Sequence, residues 1–151
     1  MSMKRSLAAG MLGVSLCMTA IPAAHAETLK IVNGSATLMG SGTIGNLHVF
    51  GTVRPGSSPG VLTTSNVFFT SQGDYFVELN GPVAGSGYDR LNVRGTNDLG
   101  SSTLHLSVGG GFIITNGQEF VILNNDGAEA VVGTFTGLPN GSMVSANGYQ
   151  F

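Results

Sequence analysis

Apolar and polar residues alternate one by one along several short stretches of this 151-residue chain. In Tyr75-Phe76-Val77-Glu78-Leu79 the inward set is Tyr75, Val77 and Leu79, and in Leu91-Asn92-Val93-Arg94 it is Leu91 and Val93. Leu104-His105-Leu106-Ser107-Val108 repeats the pattern. A period of two places one set of side chains on a buried strand face and the other on an exposed one, so each stretch predicts a β-strand. Further strands are predicted over 47–53, 67–70, 120–123 and 131–135, from Val61 onward, and more weakly over 29–32 and 143–146. No segment after residue 26 has sustained helical periodicity.

Turn sequences separate these runs: Pro-Gly at 55–56 and 59–60, Asn-Gly at 80–81, Asn-Asp-Gly at 125–127 and Asn-Gly at 140–141. Glycine reaches positive φ without steric cost and proline presets its own φ, so the chain reverses often. Strand centres near Val77, Asn92, Leu106 and Val121 are evenly spaced along the chain. That spacing suits successive walls of a β-solenoid or the strands of a β-sandwich or jelly roll, and does not choose between them.

The one long apolar run, Leu7 to Ile21, lies behind Lys4 and Arg5 and ahead of Ala23-Ala24-His25-Ala26. A positive start, an apolar stretch and small residues at Ala24 and Ala26 make a secretory signal peptide spanning residues 1–26. Cleavage after Ala26 leaves Glu27 as the new N-terminus. The run is shorter than the roughly 20 residues that span hydrocarbon, which argues against a membrane anchor. Leu16 ahead of Cys17 is too large for a lipidation signal.

Removing the leader takes the only cysteine with it and leaves four basic residues against eight acidic ones, a formal charge of about −4. Nucleic acid is therefore excluded as a partner. Residues 27–151 contain no apolar run of membrane-spanning length. With no disulfide available, 22 of the 24 glycines fall after the leader, among short runs of Val, Leu, Ile, Phe and Thr, so stability is expected from backbone ladders and a β core. The expected organisation is one domain over 27–151, incomplete at its C-terminus because Tyr149-Gln150-Phe151 ends inside a predicted strand.

Three segments occur in a fixed order. They are Gly51-Thr52-Val53-Arg54-Pro55-Gly56-Ser57-Ser58-Pro59-Gly60, then Gly87-Tyr88-Asp89-Arg90-Leu91-Asn92-Val93-Arg94-Gly95, then Gly133-Thr134-Phe135-Thr136-Gly137-Leu138-Pro139-Asn140-Gly141. Together they resemble the PG-x-SPG, YD-x-L-x-V-x-G and GTF-x-GLP-x-G elements of the autotransporter-associated β-strand repeat family of bacterial exported and surface proteins. The resemblance covers roughly residues 40–151. It implies a right-handed parallel β-helix in the C-terminal part of a passenger-type protein. The family's further strand and glycine- and aspartate-rich tail have no counterpart here, so the chain resembles a truncated member.

Candidate chemistry is sparse. Gly56-Ser57-Ser58-Pro59-Gly60 matches G-x-S-x-G, but Pro59 has no N–H for an oxyanion and a strand follows where a nucleophile elbow needs a helix. Gly40-Ser41-Gly42-Thr43-Ile44-Gly45 matches a dinucleotide fingerprint, yet it too precedes a strand, so it reads as a glycine-rich corner. His48 and His105 alternate outward and would face solvent together if their rungs stack, but two histidines make no specific metal site. Asp74 and Glu78 lie about 13 Å apart along one strand face, too far for a glycosidase pair unless another strand supplies a partner such as Asp89. In Tyr88-Asp89-Arg90 the aspartate reads more simply as a corner residue capping backbone N–H groups. Asn124-Asn125-Asp126-Gly127 has too few oxygen ligands for calcium and reads as a turn.

The expected product is thus an exported, non-enzymatic surface, extracellular or periplasmic β-helix module with no cofactor and no metal site, a scaffold, spacer or adhesive passenger fragment. Its expected partners are surface glycans, the rest of a larger passenger, or a second copy through an open strand edge. A polysaccharide-binding or polysaccharide-cleaving domain is the alternative.

Overall fold

The computed structural model describes residues 15–18, 29–31, 34–57, 59–126 and 128–151. Its first seven strands are β1 (Ser15–Met18), β2 (Leu29–Ile31), β3 (Thr37–Gly40), β4 (Gly42–Val49), β5 (Thr52–Pro55), β6 (Val61–Phe69) and β7 (Asp74–Leu79). The remainder are β8 (Arg90–Val93), β9 (Asn97–Asp98), β10 (Thr103–Val108), β11 (Leu123–Asn125), β12 (Val131–Val132), β13 (Ser145–Ala146) and β14 (Tyr149–Gln150). The described residues are all-β, without a helix.

One sheet, A, has the order β1-β3-β5-β7-β10. The second, B, has the order β11-β8-β6-β4-β2, with β9 pairing both β6 and β12. Every pairing within A and B is parallel, and from β1 to β8 the chain visits the two sheets alternately; later, β8 with β9 and β11 with β12 are consecutive strands of sheet B. Among the strands of the described residues, only β13 and β14 pair antiparallel. Ser15, Thr37, Thr52, Asp74 and Thr103 share one register position in sheet A, and from Thr37 onward each circuit of the chain is longer than the one before it. Val77 and Leu106 are direct partners, so the even spacing of the predicted strands marks passage from one sheet to the other.

Alternation fixes the interior. Leu38, Val53, Tyr75 and Val77 of sheet A face Leu47, Val49, Leu62, Val67, Leu91 and Val93 of sheet B, all of them 1 % exposed or less. Each buried aliphatic side chain contributes about 1.5–3 kcal/mol. In sheet B the buried positions change phase between Ile44 and Leu47 and between Thr64 and Val67, and the register omits a Gly45–Ser65 pair. The strands must turn there for the inward side to stay inward. Asn46 and Asn66 stand at that bend, the Asn66 amide donating to Asn46 Oδ1 at 2.6 Å while Asn66 Oδ1 accepts Thr96 N–H at 2.7 Å.

Several boundaries differ from the sequence expectation. The strand predicted over 47–53 breaks at Phe50-Gly51, because the chain there leaves sheet B for sheet A. The strand predicted over 120–123 is displaced to β11, which shares only Leu123 with it, and 131–135 contracts to β12; both strands pair on one side only. Leu104 and Leu106 carry the predicted inward parity but stay partly exposed, since among the described residues no strand lies beyond β10 in sheet A. Within the apolar run from Leu7 to Ile21, Ser15–Met18 forms β1 alongside β3. No helix among the described residues is long and apolar enough to cross a membrane.

Candidate functional site

The three motif segments converge on the corners where the chain passes between sheets. Gly40 and Gly56 exchange two backbone hydrogen bonds, Gly40 N–H to Gly56 O at 2.9 Å and Gly56 N–H to Gly40 O at 2.7 Å. Gly56 has φ +82°, and a Cβ there would run into the Gly60 backbone, so the two Pro-Gly units need their glycines to pinch the loop shut. Asp89 closes this corner from the next circuit. Its Oδ1 accepts Gly60 N–H at 2.8 Å and its Oδ2 accepts Glu78 N–H at 2.9 Å, while Arg90 N–H returns to Gly60 O at 3.0 Å.

Asp89 is buried, and burial pushes its carboxyl up to about 6. The two N–H donors and Arg54 oppose that rise, and the neighbouring Glu78 adds to it. Burial likewise holds the Tyr75 phenol far above its ordinary value, with Asp89 contributing; the hydroxyl donates to Ile122 O at 2.6 Å. Phe135, from the third motif, stacks on Tyr75 with ring centres 6.2 Å apart and closes the interior over it. Thr136 N–H donates to Ser102 O at 2.8 Å and fastens that segment to the body.

The outer face of sheet A carries a column that the sequence did not reveal. The Arg54 guanidinium lies 4.2 Å from the Phe76 ring centre, and the His105 ring stacks on Phe76 at 4.1 Å. His105 Nε2 and Asp74 Oδ1 lie 2.8 Å apart. Both neighbours of Phe76 lie against its ring, which leaves the ring edge outward and no free π-face for a sugar. Only the register of β5, β7 and β10 brings these residues together, because the three strands are far apart along the chain.

The other sequence candidates disperse. His48 stacks on Phe68 in sheet B, so it does not share a face with His105 in sheet A. Asp74 and Glu78 occupy alternate outward positions of β7, and Asp89 approaches Glu78 through the latter's backbone N–H. The region 40–45 is a corner running directly into β4, with no helix after it. Asn125 donates its amide to Glu129 O, inside the turn expected there. Ser58, Gly127 and Ala24, Ala26 and Glu27, where the sequence leads one to expect cleavage, lie outside the described residues. Among the described residues no three His, Cys, Asp or Glu side chains gather as metal ligands. A cavity of about 790 Å³ opens beside β10, lined among others by Leu104, Leu106, Ile114, Phe120, Ile122 and Phe151.

Compared with known proteins, the chain matches no family model, no curated protein and no solved structure.

Proposed function

We propose that this chain is an exported, non-catalytic module of the cell surface or extracellular space, a right-handed parallel β-helix that serves as scaffold, spacer or adhesive passenger fragment. The observation that carries the reading is the use of the Asp89 carboxylate. Both of its oxygens are committed to backbone N–H groups of Gly60 and Glu78, so the most buried acid among the described residues braces a corner. The other motif residues are used in the same way, Gly56 and Gly60 in pinching a loop and Phe135 in closing the interior over Tyr75. Parallel pairing and alternate visits to two sheets support a β-helix over a sandwich, whose sheets are antiparallel. The similarity to autotransporter-associated repeats points the same way.

N-terminal sequencing of the exported protein tests the leader: the reading expects Glu27 first, and an intact Met1 would sink it. A glycan array combined with a reducing-sugar release assay tests the role. The expected result is no sugar release. Release that disappears in Glu78→Gln or Asp74→Asn, with melting unchanged, would replace the scaffold by a polysaccharide-cleaving domain.

A further inference from the structure

We propose that Asn116 and Asn140 are sites of spontaneous covalent modification in the folded protein, each side-chain amide converting to an aspartate or an isoaspartyl link. Asn80 and Asn147 are shielded from the same reaction by the fold. The proposal goes beyond the scaffold reading and does not depend on it.

Each of these four asparagines is followed by a glycine. The glycine backbone nitrogen gives up its proton to water and attacks the asparagine Cγ, and glycine suits this step because it has no Cβ to obstruct the approach. The new C–N bond closes a cyclic imide, the Cγ–Nδ2 bond breaks, and the amide nitrogen takes up a proton and leaves as ammonia. Water then opens the imide. Addition at the side-chain carbonyl gives aspartate, and addition at the main-chain carbonyl gives an isoaspartyl residue whose backbone runs through the former side chain. Water is the only co-reactant.

Closure requires the side chain to fold back and the peptide between Asn and Gly to rotate, so the surroundings decide which pairs react. Asn116-Gly117 occupies the centre of the turn that Gln118 N–H closes onto Thr115 O at 3.1 Å. Asn140-Gly141 occupies the centre of the turn that Ser142 N–H closes onto Pro139 O at 2.9 Å. The peptide joining the two central residues takes no part in a turn's closing bond, so it rotates without breaking that bond. All four residues are exposed, and a Cβ on either glycine would meet nothing within 4 Å. Among the described residues, neither asparagine side chain and neither glycine N–H has a hydrogen-bond partner.

The other two pairs are held. Asn147 Oδ1 accepts Val108 N–H at 2.9 Å, which fixes the carbonyl that would be attacked. Asn147-Gly148 also joins the paired strands β13 and β14, beyond which Val144 and Phe151 exchange two backbone hydrogen bonds of 3.0 and 2.9 Å. Asn80 donates its backbone N–H to Gly87 O at 2.7 Å, and Gly81 is buried against Gly87. The Asn80 side chain packs on Gly109, where an added Cβ would overlap its Oδ1. These two sites react only after local opening.

Conversion adds negative charge to a chain that already carries eight acids against four basic residues after residue 26. Asn116 lines the cavity beside β10 together with Glu119, so that rim becomes more anionic as the protein ages.

Peptide mapping by mass spectrometry is the test, on the full chain incubated at mildly alkaline pH in heavy-oxygen water, folded in one arm and in urea in the other. Asn116 and Asn140 should take up the label in the folded arm within about threefold of their rate in urea, and Asn80 and Asn147 at least about tenfold more slowly than in urea. Gly117→Ala, which sets a Cβ beside the attacking nitrogen, should slow conversion at Asn116 several-fold and leave Asn140 unchanged. Circular dichroism checks that the variant keeps the wild-type fold. Amides that persist at Asn116 or Asn140 in the folded arm, conversion of Asn80 or Asn147 as fast folded as in urea, or no slowing in Gly117→Ala would each overturn the proposal.

Discussion

The carboxylate of Asp89 holds the backbone N–H of Gly60 at 2.8 Å, from a later circuit of the chain. Its second oxygen holds Glu78 at 2.9 Å, so one side chain ties three passes of the chain together. Replacing it by alanine leaves two buried N–H groups without their acceptor, at about 1–3 kcal/mol each. Asp89→Ala is expected to lower stability by at least about 2 kcal/mol at pH 4, read by urea denaturation. An unchanged midpoint would mean that the corner is held elsewhere.

The same residue makes stability depend on pH. Its folded value of about 6 lies above the ordinary 3.8, so the folded state binds the proton more tightly than the unfolded one. The contribution of Asp89 is therefore fully present below the unfolded value and is lost as pH rises through about 6. A shift of this size corresponds to roughly 3 kcal/mol. Asp89→Asn cannot ionise, and thermal melts between pH 4 and pH 7.5 should show a flatter dependence than wild type.

The Arg54–Phe76–His105 column predicts coupling between half-buried residues of the outer sheet face. A double-mutant cycle on Arg54→Ala and Phe76→Ala should return an interaction of about 0.5–1 kcal/mol. Additive losses would mean that the guanidinium contributes nothing over the ring. Removing Phe76 also removes the surface on which His105 stacks, so Phe76→Ala alone should cost more than Arg54→Ala.

Asn97 is fully buried, and neither amide atom has a partner among the described residues. It continues the inward column of Leu47 and Val67. Asn97→Val replaces an unpaired polar group by an apolar one and is expected to stabilise by about 1 kcal/mol or more. A lower melting temperature would show that the amide has a partner the fold requires.

Much of this arrangement was legible in the chain. Alternation located Tyr75, Val77, Leu91 and Val93 in the interior because period two leaves no other face for them. The pinched loop was legible from its Pro-Gly pairs, and Asp89 from its place at a corner. The bend between Ile44 and Leu47 was not, because a change of phase inside a strand looks like a loss of alternation when one sequence is read alone. Nor was the separation of His48 from His105, since which sheet a strand joins depends on the unequal circuits between strands. Arg54, Phe76 and His105 meet only through register, which strand spacing does not encode.

Those unequal circuits have a consequence for how such a molecule diversifies. The walls keep step although the path lengthens from Thr37 to Thr52, from Thr52 to Asp74 and again from Asp74 to Thr103, so extra residues are absorbed at the connections. The 81–87 loop leaves and returns between Asn80 and Gly87, whose backbone hydrogen bond of 2.7 Å closes its base, while Pro82, Val83 and Ser86 stay exposed. Doubling a flexible loop adds only about 0.6 kcal/mol of closure entropy. A foreign peptide spliced into that tip would hang outside a frame of unaltered rung spacing, which makes this loop a natural place for display and for rapid sequence change.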